Sequence, residues 1–305
     1  MKGTAGPKML ALSRERLSLT LCPEIGGSVA AFRWDHPRTG VLDLLRPLSE
    51  ADLAAAQVEG MASFPLTPFS NRIRDGRFPW NGEVVKVPLN ALPERHAQHG
   101  HGWQRPWAIV EAERSRAILE LVHTPDAWPF AYRLRQTFRL TADGLEVELT
   151  ATNLSNAAMP FGFGIHPYFP KTPDCMLTAG VAGFWEIDHE VMPTRLVGVP
   201  KDANPRRGMK ISLVDLDNCY TGFDGTAVVA WPERMAQMSM SASAPLSFLV
   251  VYAPPAENYF CVEPVSNCTD AFNLAAAGRT DTGVLVLEPE QTVSARIVFR
   301  PQALE

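Results

Sequence analysis

The amino-acid sequence predicts an all-β protein, built as one large antiparallel β-sandwich. Three observations carry that expectation: short apolar runs that alternate or run unbroken for strand lengths, turn pairs between them that tolerate positive φ, and 26 prolines that leave no room for long helices. In chain order the strand-like runs are Leu17–Leu21, Glu83–Val87, Ala117–Val122, Leu134–Leu140, Leu145–Thr150, Ala227–Trp231, Phe248–Tyr252, Val284–Leu287 and Thr292–Phe299. Asp75-Gly76 and Asn81-Gly82 read as hairpin turns of the type that needs positive φ at both central residues, and Ala142-Asp143-Gly144 separates two adjacent runs. Only Glu50–Gln57 and Asp270–Ala277 read as helical, and both are short. No repeat of fixed period, low-complexity tract or linker-like break interrupts the pattern, so residues 1–305 are expected to form a single domain.

Composition narrows the function classes. A hydrophobic share of 46% and a charged share of 20% supply an ordinary globular core. The net charge is −5 and no run or face gathers Lys and Arg, which argues against nucleic acid and membrane surfaces as partners. The stretch Met1–Arg16 has only the apolar run Met9–Ala11, too short for a secretion signal, and no segment reaches membrane-spanning length; a cytoplasmic location is expected. Five scattered cysteines without a C-x-x-C pair point to thiols packed in the interior rather than a disulfide framework or zinc ribbon. Nothing in the sequence sets the oligomeric state.

Four segments depart from ordinary strand-and-turn sequence. Pro68–Phe78 contains Asn71 and Arg72 ahead of a tight turn, an amide and a guanidinium able to hold vicinal hydroxyls. His96-Ala-Gln-His-Gly-His-Gly-Trp103 places three histidines in six positions; on an extended strand His99 and His101 would face the same side, an arrangement that also suits a metal. Pro160–Phe169 sets His166 among aromatics and glycines, where an imidazole is the natural proton donor or acceptor near neutral pH. Phe260–Phe272 carries Glu263 at the end of an apolar run and directly before Pro264, where burial would raise a carboxyl toward the range of a useful base. Asp217, in Asp215–Tyr220, is a weaker candidate. Taken one at a time, each of these side chains also fits a structural ion pair or a core histidine bonded to backbone.

Their order along the chain is more specific than any one of them. Asn71-Arg72 with Gly76, His99-Gly100, Gly164-Ile165-His166-Pro167-Tyr168-Phe169 and Glu263-Pro264 followed by Asp270-Ala271 together resemble the aldose 1-epimerase (mutarotase) family. The resemblance implies a galactose mutarotase-like β-sandwich and an isomerase that interconverts the α and β anomers of a free aldose, with no cofactor and no metal. It implies Glu263 as general base, His166 as general acid, and Asn71, Arg72, His99 and Asp217 as ligands of the sugar hydroxyls. Tyr220 stands where phenylalanine is frequent, and His101 adds an imidazole that leaves open which of His99 and His101 belongs to the site.

Three other readings fit the same residues. A glycoside hydrolase would pair Asp217 with Glu263 across a scissile bond. A non-catalytic sugar-binding protein would use the same lining without turnover. A metal-dependent enzyme would draw on His96, His99 or His101. Which aldose is bound is not encoded in readable form; Arg206-Arg207 is the one compact basic pair that could meet a phosphorylated sugar, and it also reads as a solvated turn.

Overall fold

In a computed structural model, which describes residues 6–305, the chain is nearly all-β, with antiparallel sheets and two short α-helices among the described residues. The part of the N-terminal reading that falls on residues 1–5 lies outside the described residues. A nine-stranded sheet runs in the order Ala108–Ala112, Arg116–His123, Tyr132–Leu140, Leu145–Asn153, Thr292–Ala303, Ala236–Ala242, Thr226–Trp231, Met176–Ala179 and Met209–Lys210. Its hairpins follow from the alternation seen in the sequence. In Tyr132–Leu140, every second side chain from Tyr132 through Leu134, Gln136 and Phe138 to Leu140 is buried, while those between are half-buried or exposed.

An eight-stranded sheet is the platform for the site. It runs Pro193–Gly198, Gly183–Ile187, Leu216–Thr221, Phe248–Ala253, Tyr259–Val265, Gly164–Ile165 and Pro65–Leu66, with Tyr168–Pro170 also pairing to Tyr259–Val265. Its central strands are buried on both faces, which is why they read as continuous apolar runs rather than alternating ones. Phe260 and Val262 turn toward the main apolar core, together with Leu249 and Val251 and with Leu134 and Leu149 of the nine-stranded sheet. Cys261 and Val265 turn the other way and pack with Phe64, Trp103 and Tyr168. A four-stranded sheet, Leu10–Arg14 to Gly40–Asp43, closes one side of the molecule with Leu12, Leu19, Leu21 and Phe32 in the main core.

Most strand expectations hold within a residue or two, and four other expectations are corrected or trimmed. Asn81 and Gly82 both take positive φ and join Arg77–Trp80 to Glu83–Lys86 as a hairpin. Asp75 and Gly76 also take positive φ, but they connect strands that do not pair with each other. Arg72–Ile73 pairs with Ala97–Gln98, so this turn redirects the chain instead of folding it back. The helix read over Glu50–Gln57 is a single turn and a half, Glu50–Ala54, capped by Ser49 accepting from the Asp52 N–H at 3.1 Å and ended by Ala56 in the left-handed region. The other helix, Ala271–Ala276, is likewise trimmed by Asp270 at φ +55°. Finally, His96–Trp103 is not an extended strand. His99 and Gly100 both have positive φ, so His99 and His101 do not share a face.

Candidate active site

Glu263 lies on Tyr259–Val265, and the pairing of that strand brings His166 to it. On one edge Glu263 sits opposite Val250. On the other edge two short strands pair in succession, Gly164 opposite Val265 and Tyr168 opposite Cys261. His166 occupies the break between them, where Pro167 has no N–H for the ladder. The His166 N–H is satisfied by the Phe64 carbonyl at 2.9 Å, and its Nε2 lies 3.3 Å from Glu263 Oε1. Both side chains are buried, and His166 Nδ1 and Glu263 Oε2 have no hydrogen-bond partner.

Asn71 and Arg72 arrive from the segment before the redirecting turn. The Asn71 N–H donates to His99 Nδ1 at 3.1 Å while the His99 N–H donates to the Asn71 carbonyl at 2.7 Å. A neutral imidazole that accepts at Nδ1 carries its proton on Nε2, so His99 presents a donor to whatever occupies the site. Gly100 makes this turn possible: at φ +67°, a Cβ there would lie 2.0 Å from the Thr67 carbonyl oxygen. Arg72 donates to Asn71 Oδ1 and to Asp217 Oδ2, each at 3.3 Å, and its Nε is buried without a partner. Asp217 comes from Leu216–Thr221, two strands from Glu263 in the platform, where it sits opposite Tyr252.

All six candidates, Asn71, Arg72, His99, His166, Asp217 and Glu263, line one cavity of about 230 Å³. Phe64, Trp103 and Tyr168 form its aromatic wall: Phe64 stacks on Trp103 at 5.4 Å, and the His166 ring stacks on Tyr168 at 4.7 Å. Trp103 and Tyr168 belong to segments that stand out in the sequence. Phe64, Tyr252, Glu59 and Glu94 also line the cavity and carry no local sequence signal.

Burial dominates the electrostatics. It raises the Glu263 carboxyl well above the ordinary range, with the nearby Asp217 charge adding to the effect and Arg72 opposing it. It lowers the His166 imidazole well below its usual value, helped by His99. His99 is pushed down to about 3 by desolvation and then by Arg72. Asp217 is raised by desolvation, against the pull of Arg72.

The remaining histidines of the His96–His101 cluster go elsewhere, so the metal arrangement that an extended segment would also suit is not formed among the described residues. His101 Nε2 pairs with the Tyr132 hydroxyl at 2.9 Å, and its ring lies 4.3 Å from that of His123, beside a separate cavity of about 170 Å³ bordered by Arg105, Asp126 and Trp128. His96 is buried and accepts the Asp75 N–H at Nδ1, 3.1 Å away. Arg206 and Arg207 are exposed in a one-turn helix outside the cavity, which leaves the solvated turn as their role. All five cysteines are buried and free.

The fold and the cavity together define a β-sandwich of the galactose mutarotase-like class. The chain belongs to the aldose 1-epimerase family, whose family model matches residues 8–300. YphB of Escherichia coli (strain K12) is 29% identical over 301 residues, covering 96% of this chain and 98% of that protein. A solved structure from Escherichia coli K12 superposes with a TM-score of 0.87 at 26% identity, covering 98% of this chain and 100% of that one. The GalM/aldose epimerase homologue from C. elegans shares the fold with a TM-score of 0.83 at 18% identity, covering 98% of this chain and 100% of that one. Among the described residues no helix is long and apolar enough to cross a membrane.

Proposed function

We propose that this protein is an aldose 1-epimerase acting on an uncharged free sugar by acid–base ring opening, with Glu263 as base and His166 as acid. The observation that carries the reading is the 3.3 Å approach of His166 Nε2 to Glu263 Oε1 within a cavity lined by hydroxyl-binding groups. The two oxygens that change protonation, the exocyclic O1 and the ring O5, are bonded to the same carbon. A base and an acid that serve them must therefore be close neighbours. A retaining glycosidase holds its two carboxyls about 5–5.5 Å apart and an inverting one about 6.5–9.5 Å apart. Asp217, the other carboxyl of such a pair, is already engaged by Arg72.

In the forward direction Glu263 takes the O1 proton while His166 gives a proton to O5, the C1–O5 bond breaks, and an open-chain aldehyde forms. Rotation about C1–C2 and reclosure on the opposite face deliver the other anomer, with the two side chains exchanging roles. Burial of both groups supports this exchange. Desolvation disfavours charge on either member, so the two side chains hold one proton between them, and that proton passes across the 3.3 Å gap from Glu263 to His166 Nε2 before Glu263 acts as base and His166 as acid. Arg72, Asn71 and the Nε2–H of His99 would grip the ring hydroxyls, and Trp103 and Phe64 offer apolar faces to the pyranose. Among the described residues four carboxyl groups, Glu59, Glu94, Asp217 and Glu263, line the cavity against the guanidinium of Arg72, which favours an uncharged sugar over a phosphorylated one.

Anomer-exchange NMR on a panel of aldoses, comparing the native protein with His166→Ala and Glu263→Ala, tests the reading. Accelerated exchange that disappears in both variants is the expected result. Tight sugar binding without acceleration would instead identify a binding protein, and release of the aryl alcohol from aryl glycosides a hydrolase.

A further inference from the structure

We propose that His166, Cys261 and Glu263 form a binding site for Zn2+ at the floor of the cavity, and that occupancy of this site blocks the acid–base pair. Cys261 and Glu263 are two residues apart on one strand and so project from the same face. Tyr168 pairs opposite Cys261, which brings the preceding His166 over the same spot. One ligand atom from each of the three side chains lies within 4.8 Å of those of the other two, and all three residues are buried.

The spacing suits a tetrahedral ion. With bonds of about 2.0–2.2 Å to nitrogen and oxygen, neighbouring ligand atoms on Zn2+ stand about 3.4 Å apart; His166 Nε2 and Glu263 Oε1 are already at 3.3 Å. Cys261 Sγ lies within 4.8 Å of the other two ligand atoms and closes on the ion to its own bonding distance of about 2.3 Å. The donor set of imidazole, thiolate and carboxylate is that of a borderline-soft ion, and three protein ligands leave the fourth position to water or substrate.

Charge favours the complex as well. The imidazole binds through its Nε2 lone pair; Glu263, once the proton it shares with His166 has gone to solvent, brings one negative charge, and the thiol, which also releases its proton to solvent, brings a second. The sum with the dication is zero, so the ion enters a buried place without leaving an uncompensated charge there. The same Nε2 lone pair and carboxylate that would handle the sugar's protons are then committed to the metal, making the two uses mutually exclusive.

Cd2+ is the probe that tests the site, because a thiolate ligand gives it an ultraviolet charge-transfer band whether or not the protein turns over a sugar. Titration of the full chain should give a band that saturates at one Cd2+ per chain and is competed away by Zn2+. In Cys261→Ala and Cys261→Ser the band should vanish, and His166→Ala should weaken Cd2+ binding at least tenfold. In the anomer-exchange assay Zn2+ should suppress the native protein reversibly on chelation, and Cys261→Ala should need at least tenfold more Zn2+ for the same suppression. No band, or a band that persists unchanged in both Cys261 variants with their native circular dichroism, overturns the proposal. Because the optical arm does not depend on sugar chemistry, loss of the epimerase reading would leave it standing, and its own failure would leave that reading intact.

Discussion

Glu263→Gln separates the catalytic from the structural consequences of the buried carboxyl. The substitution keeps the side chain's shape and removes its ability to accept a proton as a base. Positioned acid–base catalysis is worth roughly 10²- to 10⁴-fold, or about 2.7–5.4 kcal/mol of barrier, and the exchange rate should fall by an amount in that range. Stability should move in the opposite direction. Burial raises the folded-state pKa of Glu263, so above the unfolded value of about 4.3 the unfolded chain has lost a proton that the native state still holds. Native stability therefore declines as pH rises through that window up to the folded pKa, and glutamine, which does not titrate, escapes the decline. Glu263→Gln should thus raise Tm by roughly 2 °C per kcal/mol recovered, with the gain larger at pH 8 than at pH 5. Polarimetry or exchange NMR reads the first effect and thermal unfolding at the two pH values reads the second. A near-normal exchange rate would refute the role of base, and a lower Tm at pH 8 would show that the carboxylate is supported by its surroundings rather than frustrated by them.

Other outcomes follow from the same geometry. His166 is lowered by burial, so below about 6.5 the unfolded chain takes up a proton that the native state refuses, and stability is lost on acidification; His166→Asn should flatten the decline of Tm between pH 6.5 and 5 while abolishing exchange. Arg72→Lys retains the charge but cannot reach both Asn71 Oδ1 and Asp217 Oδ2, and KM should rise about tenfold, about 1.4 kcal/mol, with a smaller change in kcat by steady-state kinetics. Gly100→Ala would drive a Cβ into the Thr67 carbonyl and dislodge His99, lowering both Tm and activity. Gly40→Ala, also at positive φ but in open space, should cost only the backbone strain of about 1–2 kcal/mol and leave activity unchanged.

What could be read before folding depended on how local each signal was. Strand positions such as Tyr132–Leu140 were legible because alternation is a property of neighbouring residues. Glu263 was legible because an apolar run ending at a proline has few surface interpretations, and His166 because its neighbours are aromatic and glycine. The pairing of the two was not, since it depends on Gly164 meeting Val265 and Tyr168 meeting Cys261 across about a hundred residues of chain. The choice between His99 and His101 stayed open for a different reason: the period-two argument assumes extended backbone, and the left-handed turn at His99 and Gly100 sends the two rings to opposite sides of the segment. Asp75-Gly76 shows the same limit, since a turn pair reports its own dihedral angles and not which strands it joins. Phe64, Tyr252, Glu59 and Glu94 enter the cavity only through the closing of distant segments. Cys261 was within reach, two positions before Glu263 on one strand, but its meaning needs the register that brings in His166.

The strand Thr292–Ala303 pairs with Leu145–Asn153 on one side and Ala236–Ala242 on the other, near the middle of the nine-stranded sheet. During biosynthesis that sheet remains in two parts until residues 292–303 have been made. Until then each part presents an open row of backbone donors and acceptors that another nascent chain could take up. Shortening the polypeptide before Thr292 would consequently do more than trim an edge. It would leave both flanking strands with an edge permanently unpaired, and such fragments should accumulate as aggregates even though residues 1–291 retain every side chain of the candidate site.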